Sequence, residues 1–276
     1  MKLFKKVAIV GTGLIGGSIG LALKKKKLAD SVVGISRRKK NLLLAKKRGI
    51  IDSGSKSLDI VKGADLVILA TPVDKIIKFA PAISRIAGKE CIVTDVGSTK
   101  KEIVLAMERF FPNYLGSHPL AGSEKCGAIN AQPDLFNDTL CILTPTKKTR
   151  KDVSVKLERF WNALGARVIF LSAENHDRVL SFVSHLPHAV AFSLIESMPK
   201  QYLKFSPQSL KDTTRIAASD SELWADIFLS NRKNILKAIA LLENNLSMLK
   251  QAINKKEKGL LIRILKEAQI KRKIIR

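Results

Sequence analysis

The sequence predicts an N-terminal α/β domain built on a doubly wound parallel sheet, followed by an all-α C-terminal domain. Up to residue 171, short apolar runs alternate with helical segments, which is the pattern of strands covered by helices on both faces. The first run leads directly into a glycine-rich turn at 11–16. From Asn175 onward, apolar residues repeat only at helical spacing.

The predicted strands are short apolar runs bounded by glycine, proline or polar residues. Such runs are typical of parallel strands that are buried on both faces. In chain order they are 7–10, 32–35, 66–70, 90–95, 113–116, 141–144 and 167–171. Helices are predicted at 14–26 and 40–48, and Gly49 ends the second of them.

Two apolar stripes define the helical half. They consist of Val179, Val183, Leu186, Val190 and Leu194, and of Ile235, Ile239, Leu242, Leu246 and Leu249. Pro187 is expected to bend or interrupt the first helix. Each stripe suits either an internal core or a dimer face, and we expect a mixture of both. The predicted domains are therefore 1–171 and 172–276, the second serving substrate binding and dimerisation.

The composition indicates a globular protein with a basic surface. Hydrophobic residues make up 46% of the 276 residues, and the formal net charge is +25. Lysines and arginines are scattered in short runs, and aromatic residues are only 5%, so stacking platforms for bases are not expected. We interpret the charge as a solvated surface that attracts small anions, and we expect no nucleic-acid partner.

The sequence also indicates a cytoplasmic protein without a membrane partner. Cys91, Cys126 and Cys141 form no CxxC pair, which favours reduced thiols. The apolar stretch near the start breaks at Gly11 and resembles no signal peptide. No run is judged long and apolar enough to span a bilayer, and no residue is assigned to a metal.

The turn 11–16 has the GxGxxG pattern of a Rossmann-type dinucleotide site. It follows a strand and opens a helix, which is the context that this otherwise weak motif requires. The first glycine allows a tight turn, the second allows close approach of a pyrophosphate, and the third allows helix–strand packing. The residues expected to bind the dinucleotide here are Gly11, Thr12, Gly13, Leu14, Ile15 and Gly16.

The residues after the second strand bear on the choice of dinucleotide. NAD enzymes usually have an acidic residue there, but this chain has Ser36, Arg37 and Arg38. Serine and arginine can bind a 2′-phosphate, so NADP is favoured over NAD. NAD stays open if the two arginines are ordinary surface cations. Thr71, at the end of the third apolar run, is also expected to contact the dinucleotide.

Two segments of the first half contain candidate catalytic residues. Ser98 lies in 95–100, between a strand and a helix, and so at the sheet edge where ligands bind. His118 lies in the small-residue segment 116–124, beside Pro119. A histidine can accept a hydroxyl proton as hydride leaves the same carbon. By itself, His118 could equally be structural.

The helical half adds polar candidates. Segment 184–188 contains His185 and His188, and Arg215 lies among small polar residues, where it can clamp a carboxylate with two bonds. Taken singly, each is an ordinary surface or capping residue.

Together these segments resemble the prephenate/arogenate dehydrogenase family. They occur in the family's order and span nearly the whole chain. The matching segments are 11–18, 95–100, 117–124, 184–188 and 214–217, with Trp224.

The resemblance implies an NAD(P)-dependent enzyme of tyrosine biosynthesis that oxidises and decarboxylates prephenate, or alternatively its amino analogue arogenate. It implies that His118 accepts the proton or hydrogen bond of the ring hydroxyl, and that Ser98 helps to orient that hydroxyl and His118. It further implies that Arg215 binds a substrate carboxylate beside His188, and that Glu124 lies at the site entrance. The family's helical domain is its dimerisation domain, so a homodimer is expected.

Two other classes are weaker alternatives. A reductase of the β-hydroxyacid dehydrogenase type would share the architecture, but it needs a catalytic lysine in the helical half and leaves 117–124 unexplained. A non-catalytic nucleotide- or nucleic-acid-binding protein would explain the charge, but it leaves His118, Ser98 and Arg215 without a role.

Overall fold

The structure, a computed structural model, describes residues 2–122 and 127–275. The described chain forms two compact units, which divide between Asn231 and Arg232. The division predicted between residues 171 and 172 marks where strands give way to helices, and it stays a prediction.

The described residues of the first unit contain eight strands in two sheets. Five parallel strands have the order β3-β2-β1-β4-β5, and three others have the order β6-β7-β8. Strand β7 is antiparallel to β6 and parallel to β8. The strands are β1 Phe4–Val10, β2 Ala29–Ile35, β3 Ser53–Ser55, β4 Leu66–Leu69, β5 Ile92–Asp95, β6 Gly116–Pro119, β7 Leu140–Thr144 and β8 Arg167–Phe170.

Both faces of the five-stranded sheet are buried, as the apolar runs predict. In β1, Val7 and Ile9 face one hydrophobic core, whereas Ala8 and Val10 face the other. This alternation is the period of two that a strand imposes on its side chains. The helices of this region are α1 Leu14–Lys25, α2 Lys39–Lys47, α3 Val73–Ile86, α4 Lys101–Met107 and α5 Lys151–Leu164. A doubly wound parallel sheet is thereby confirmed.

The prediction of a strand at 113–116 was wrong. Tyr114 makes only an isolated bridge with Val93, and the strand proper is β6 at Gly116–Pro119. The Leu115 carbonyl accepts a hydrogen bond from the Thr94 side-chain hydroxyl, at 2.7 Å. The sequence of β6, Gly-Ser-His-Pro, has no apolar run by which it could be recognised. Its antiparallel pairing with β7 also departs from the all-parallel arrangement expected.

A long interrupted helix begins the helical part. It consists of α6 Ala173–Leu180, a π-helical turn Ser181–His185, and α7 Leu186–Glu196. The π turn ends one residue before α7 and two before Pro187, whose ring cannot fit against a regular preceding turn. The predicted interruption is thus confirmed. Two further helices complete the unit, α8 Gln208–Thr214 and α9 Ser221–Ser230.

This interrupted helix corrects one expectation. As a continuous segment, Ala173–Glu196 is long and apolar enough to cross a membrane by length and composition. The sequence argument overlooked it because polar residues interrupt its apolar run. Those polar residues, among them His176, Asp177 and His185, are buried within the protein, while Val183 of the predicted stripe is 64% exposed. Such a helix is weak evidence for a membrane.

The second unit consists of two helices, α10 Arg232–Asn254 and α11 Lys258–Arg272. The predicted stripe on α10 changes its environment along the helix. Ile235 is 4% exposed, whereas Leu246 is 56% exposed. Leu241, Met248 and Leu265 are also more than half exposed. The unit therefore presents apolar side chains on its surface.

We expect Gly16→Ala to lower the free energy of unfolding by about 3 kcal/mol. A Cβ atom at Gly16 would lie 2.0 Å from the Gly11 carbonyl oxygen, so α1 would have to move away from β1. Gly13→Ala is the matched control, because a Cβ there meets no atom within 4 Å. Its expected change is below about 1 kcal/mol. Chemical denaturation measures both, and equal stability of the two variants would contradict the proposed contact.

Candidate active site

The turn after β1 leaves room for a ligand. Gly11 has a φ of +100°, and a Cβ there would lie 2.4 Å from the Ala70 carbonyl oxygen, so only glycine fits. The space beside Gly13 is open to 4 Å. No side chain caps the N-terminus of α1, whose free N–H groups and dipole suit a phosphate. Leu14 and Ile15, at the start of this helix, are half-buried.

Two hydroxyl groups support a polar ligand at this turn. Thr12 Oγ1 and Thr71 Oγ1 are buried, and neither has a hydrogen-bond partner within residues 2–122 and 127–275. A buried polar group without a partner is costly, so each hydroxyl suits a contact with a bound molecule. The residues present at the turn therefore fit a dinucleotide.

The residues that were predicted to select the dinucleotide follow β2, which is the neighbour of β1 in the sheet. Ser36 is half-buried, whereas Arg37 and Arg38 are exposed. Neither arginine forms an ion pair with the part of the chain that the structure describes. Both arginines follow the carboxyl end of β2, as the glycine turn follows the carboxyl end of the neighbouring strand β1.

His118 lies in the middle of β6 and is buried. Its Nδ1 is 2.8 Å from Nε2 of His176, a residue of α6. Burial lowers the pKa of His118 well below the usual value, and the charges of His176 and Lys100 lower it further. The imidazole is therefore neutral at neutral pH, which is the state that can accept a proton.

His176 in turn contacts a buried carboxylate. Its Nδ1 lies 2.8 Å from Asp177 Oδ1. The backbone N–H groups of Lys100 and Lys101 donate to the Asp177 carboxylate at 2.7 and 2.9 Å. Burial opposes ionisation, but the hydrogen bonds from His176 and these two N–H groups prevail and lower the pKa of Asp177. A negative charge is thus held beneath the two histidines.

A second buried charge pair lies beside this group. The Lys100 ammonium forms an ion pair with Asp95, and both side chains are fully buried. The Tyr114 hydroxyl donates to Asp95 Oδ1 at 2.7 Å, and the Gly97 N–H donates to Oδ2 at 2.8 Å. The Asp95 carboxylate thus accepts three hydrogen bonds, which offset part of the cost of burying the pair.

Ser98 lies next to the same cluster, although it does not bind His118 directly. The side chain is half-buried and makes no hydrogen bond with His118 among the described residues. Its backbone carbonyl lies close to His185 and partly offsets the effect of burial on that residue. Burial nevertheless lowers the pKa of His185 to about 4, and its ring is close enough to His118 to affect that pKa as well.

Two histidines of the helical part contact Trp224. The ring of His188 stacks on the indole, with centroids 3.5 Å apart and planes at 19°, while His185 meets the indole edge-on. Burial lowers the pKa of His188, and the positive charge of Arg215 lowers it further. The hydrogen bond with the Ser184 carbonyl raises this pKa in part. Arg215 is therefore a neighbour of His188. Glu124 and Cys126 lie outside the described residues.

All four histidines of the chain belong to this one cluster. Sequence reasoning selected His118 and His188 and noted His185, but it missed His176 and its neighbour Asp177. A usable signal was present, because His176 is one of only four histidines and lies in the first turn after Ser172, which caps α6. The cluster offers a neutral base, an anchored carboxylate and an arginine, which suits proton transfer on a carboxylate substrate.

Comparison with known proteins gives the same picture over most of the chain. The model of the prephenate dehydrogenase nucleotide-binding domain matches residues 19–170, and that of the prephenate dehydrogenase dimerization domain matches residues 172–267. A prephenate dehydrogenase of Bacillus subtilis is 36% identical over 241 residues, which are 83% of this chain and 65% of that protein. A cyclohexadienyl dehydrogenase of Zymomonas mobilis is 34% identical over 98% of this chain and 95% of its own length.

A solved structure agrees closely as well. The crystal structure of prephenate dehydrogenase from Aquifex aeolicus in complex with hydroxyphenyl propionate and NAD+ has a TM-score of 0.93 and 37% identity. The similarity covers 99% of this chain and 98% of that one. With both domain models and full-length relatives in agreement, the chain belongs to the prephenate dehydrogenase family.

Proposed function

We propose that the protein catalyses the oxidative decarboxylation of prephenate to 4-hydroxyphenylpyruvate, with transfer of hydride to NAD or NADP, in tyrosine biosynthesis. Family membership supports this reaction, since the relatives include prephenate dehydrogenases. The observation that carries the proposal is the neutral, buried imidazole of His118, held beside an arginine-bearing cluster.

His118 is the proposed base of the reaction. When bound at the glycine turn, the dinucleotide would supply a hydride acceptor for the ring carbon that bears the hydroxyl. His118 holds the hydroxyl proton as that hydride leaves, and the proton returns to the phenolate oxygen once the ring is aromatic. The carboxylate leaves as CO2, and its bonding pair completes the aromatic ring. Because aromatisation supplies the driving force, the protein mainly positions the reactants and manages one proton.

The other side chains bind and orient the substrate in this proposal. Arg215 pairs with a substrate carboxylate, and His188, stacked on Trp224, supplies a polar contact beside it. Ser98 orients the ring hydroxyl. Glu124 is proposed for the site entrance on the family resemblance alone.

The test is reduction of the dinucleotide, followed at 340 nm, with prephenate and then with arogenate. Turnover of prephenate with the greater kcat/KM supports the proposal. Greater kcat/KM with arogenate would favour the alternative, an arogenate dehydrogenase that makes tyrosine directly. The alternative is kept because the Zymomonas mobilis relative is named for cyclohexadienyl substrates in general. Turnover of neither compound would contradict both.

NADP is the proposed preference, with NAD as the alternative. The turn residues 11–16 and Thr71 would hold the part common to both dinucleotides. The open space at Gly13 and the buried Thr71 hydroxyl, which has no partner in the described part of the chain, support this. Ser36, Arg37 and Arg38 would bind the 2′-phosphate that only NADP has.

We further propose a homodimer formed through residues 172–276, in a cytoplasmic enzyme that binds neither nucleic acid nor membrane. The match to a dimerization domain supports the dimer. So do the exposed side chains of Leu241, Leu246 and Met248, because apolar surface of this kind is usually covered by a partner.

We expect His118→Asn to reduce kcat by about 100-fold or more while the KM for the dinucleotide changes little, because the variant removes the base but not the cofactor site. Steady-state kinetics with prephenate measure both constants. Unchanged turnover would remove His118 from the mechanism.

We expect Arg215→Ala to raise the KM for prephenate by about 10-fold or more, with a much smaller effect on the KM for the dinucleotide. Arg178→Ala is a matched control, since Arg178 is an exposed arginine of the same unit whose side chain, among the described residues, bonds Asn175 alone. A larger effect on the dinucleotide than on prephenate would contradict the assignment of Arg215.

We expect the double variant Arg37→Ala, Arg38→Ala to lose about 10-fold or more in kcat/KM with NADP, but little with NAD, because only NADP has the 2′-phosphate. The double variant Lys39→Ala, Lys40→Ala removes the same charge from the neighbouring exposed positions and serves as control. Wild-type preference for NAD, or equal losses with both dinucleotides, would rule out NADP selection by these arginines.

A further inference from the structure

Three side chains lie in a row behind the proposed base. Nδ1 of His118 is 2.8 Å from Nε2 of His176, and Nδ1 of His176 is 2.8 Å from Oδ1 of Asp177. All three residues are buried. We propose that His176 and Asp177 are positioning residues that fix the tautomer of His118, so that its Nε2 is the atom that takes the substrate proton. This inference rests on the proposed function only for what that proton does.

The position of each proton follows from the charge of the Asp177 carboxylate. Asp177 accepts hydrogen bonds from the backbone N–H groups of Lys100 and Lys101, and its pKa is lowered, so it is ionised and can only accept. The short contact with His176 then requires a proton on His176 Nδ1. Because a neutral imidazole carries one N–H, Nε2 of His176 has a lone pair and accepts.

The contact between His176 and His118 then determines which nitrogen of His118 carries the proton. Since His176 Nε2 accepts, the proton of His118 must be on Nδ1, and Nε2 of His118 has a free lone pair. Nε2 makes no hydrogen bond with residues 2–122 or 127–275. In this proposal, the Nε2 lone pair is the one that accepts the proton of the substrate hydroxyl.

The proposed tautomers of His118 and His176 require that the His176 imidazole is neutral. Burial lowers the pKa of His176, the hydrogen bond from its Nδ1 to Asp177 opposes this, and the charge of Lys100 lowers it again. Asp95 raises it, but the net shift is downward. Two further titratable groups lie near His118. His185 lowers the pKa of His118. The Cys141 thiol stays protonated because burial raises its pKa.

The arrangement also helps after the proton has moved. Once Nε2 of His118 is protonated, the imidazolium still donates from Nδ1 to His176, which remains bonded to the Asp177 anion. Charge-assisted hydrogen bonds of this kind are stronger than neutral ones. The row therefore stabilises the state that exists while the proton is held, and it does so without taking up the proton itself.

The direct test reads the tautomer by long-range 1H–15N spectroscopy of protein labelled with [15N]histidine. Only four histidines are present, so the spectra of the full-length protein are tractable. Variants His118→Asn and His176→Gln assign the signals of His118 and His176. The expected result for the wild type is a protonated Nδ1 and an unprotonated Nε2 at both His118 and His176. A proton on Nε2 of His118 overturns the proposal.

A matched pair of variants tests the consequence for turnover. Gln at position 176 has an oxygen as many bonds from Cα as the histidine Nε2, so His176→Gln keeps an acceptor, whereas His176→Leu has none. We expect kcat to fall by about 100-fold in His176→Leu and by less than about 10-fold in His176→Gln, with the dinucleotide KM unchanged in both. Equal losses in the two folded variants overturn the positioning role.

The two proposals fail in different ways. Wild-type protein that turns over neither prephenate nor arogenate contradicts the proposed function, while its tautomer can still be read. Active wild-type protein with the proton on Nε2 of His118 contradicts only the positioning role of His176 and Asp177. If His176→Leu does not fold, the wild-type spectrum and His176→Gln still decide.

Discussion

The buried carboxylate of Asp177 joins the helical part of the chain to the parallel sheet. Asp177 lies near the start of the long helix that follows the last strand, and it accepts two backbone N–H groups from the start of α4, at the carboxyl edge of the parallel sheet. Breaking either contact would leave a buried charge short of partners, which is costly. These two hydrogen bonds fix where α6 meets the sheet, and with it the position of His176 beside His118.

The features that sequence reasoning found are those with a strong local pattern. Buried parallel strands such as β4 are apolar throughout, and a GxGxxG turn between a strand and a helix is typical of a dinucleotide site. Strand β6 has neither feature, because its residues are small or polar and its pairing depends on β7. It was therefore placed three residues too early, even though it carries His118, the residue that matters most for the proposed chemistry.

His176 and Asp177 were missed because they too have no local sequence pattern. His176 and Asp177 are meaningful only as neighbours of residues that lie 58 and 77 positions away in the chain. No periodicity reveals such a pair. The exposed Val183 shows the converse, since a correct helical spacing did not tell which side of the helix is covered. Spacing identifies a face, but only tertiary contacts identify what that face meets.

The π turn Ser181–His185 has a consequence for how the chain tolerates insertions and deletions. A π turn holds one residue more than an α-helical turn, so removal of a single residue there would restore a regular helix. Each residue of an α-helix advances the side-chain direction by about 100°, so the side chains that follow would swing round by that angle relative to those before. His188 would then leave the indole of Trp224. A length change of one residue that improves the helix would thus dismantle the site, and homologues that keep this chemistry are expected to keep the extra residue.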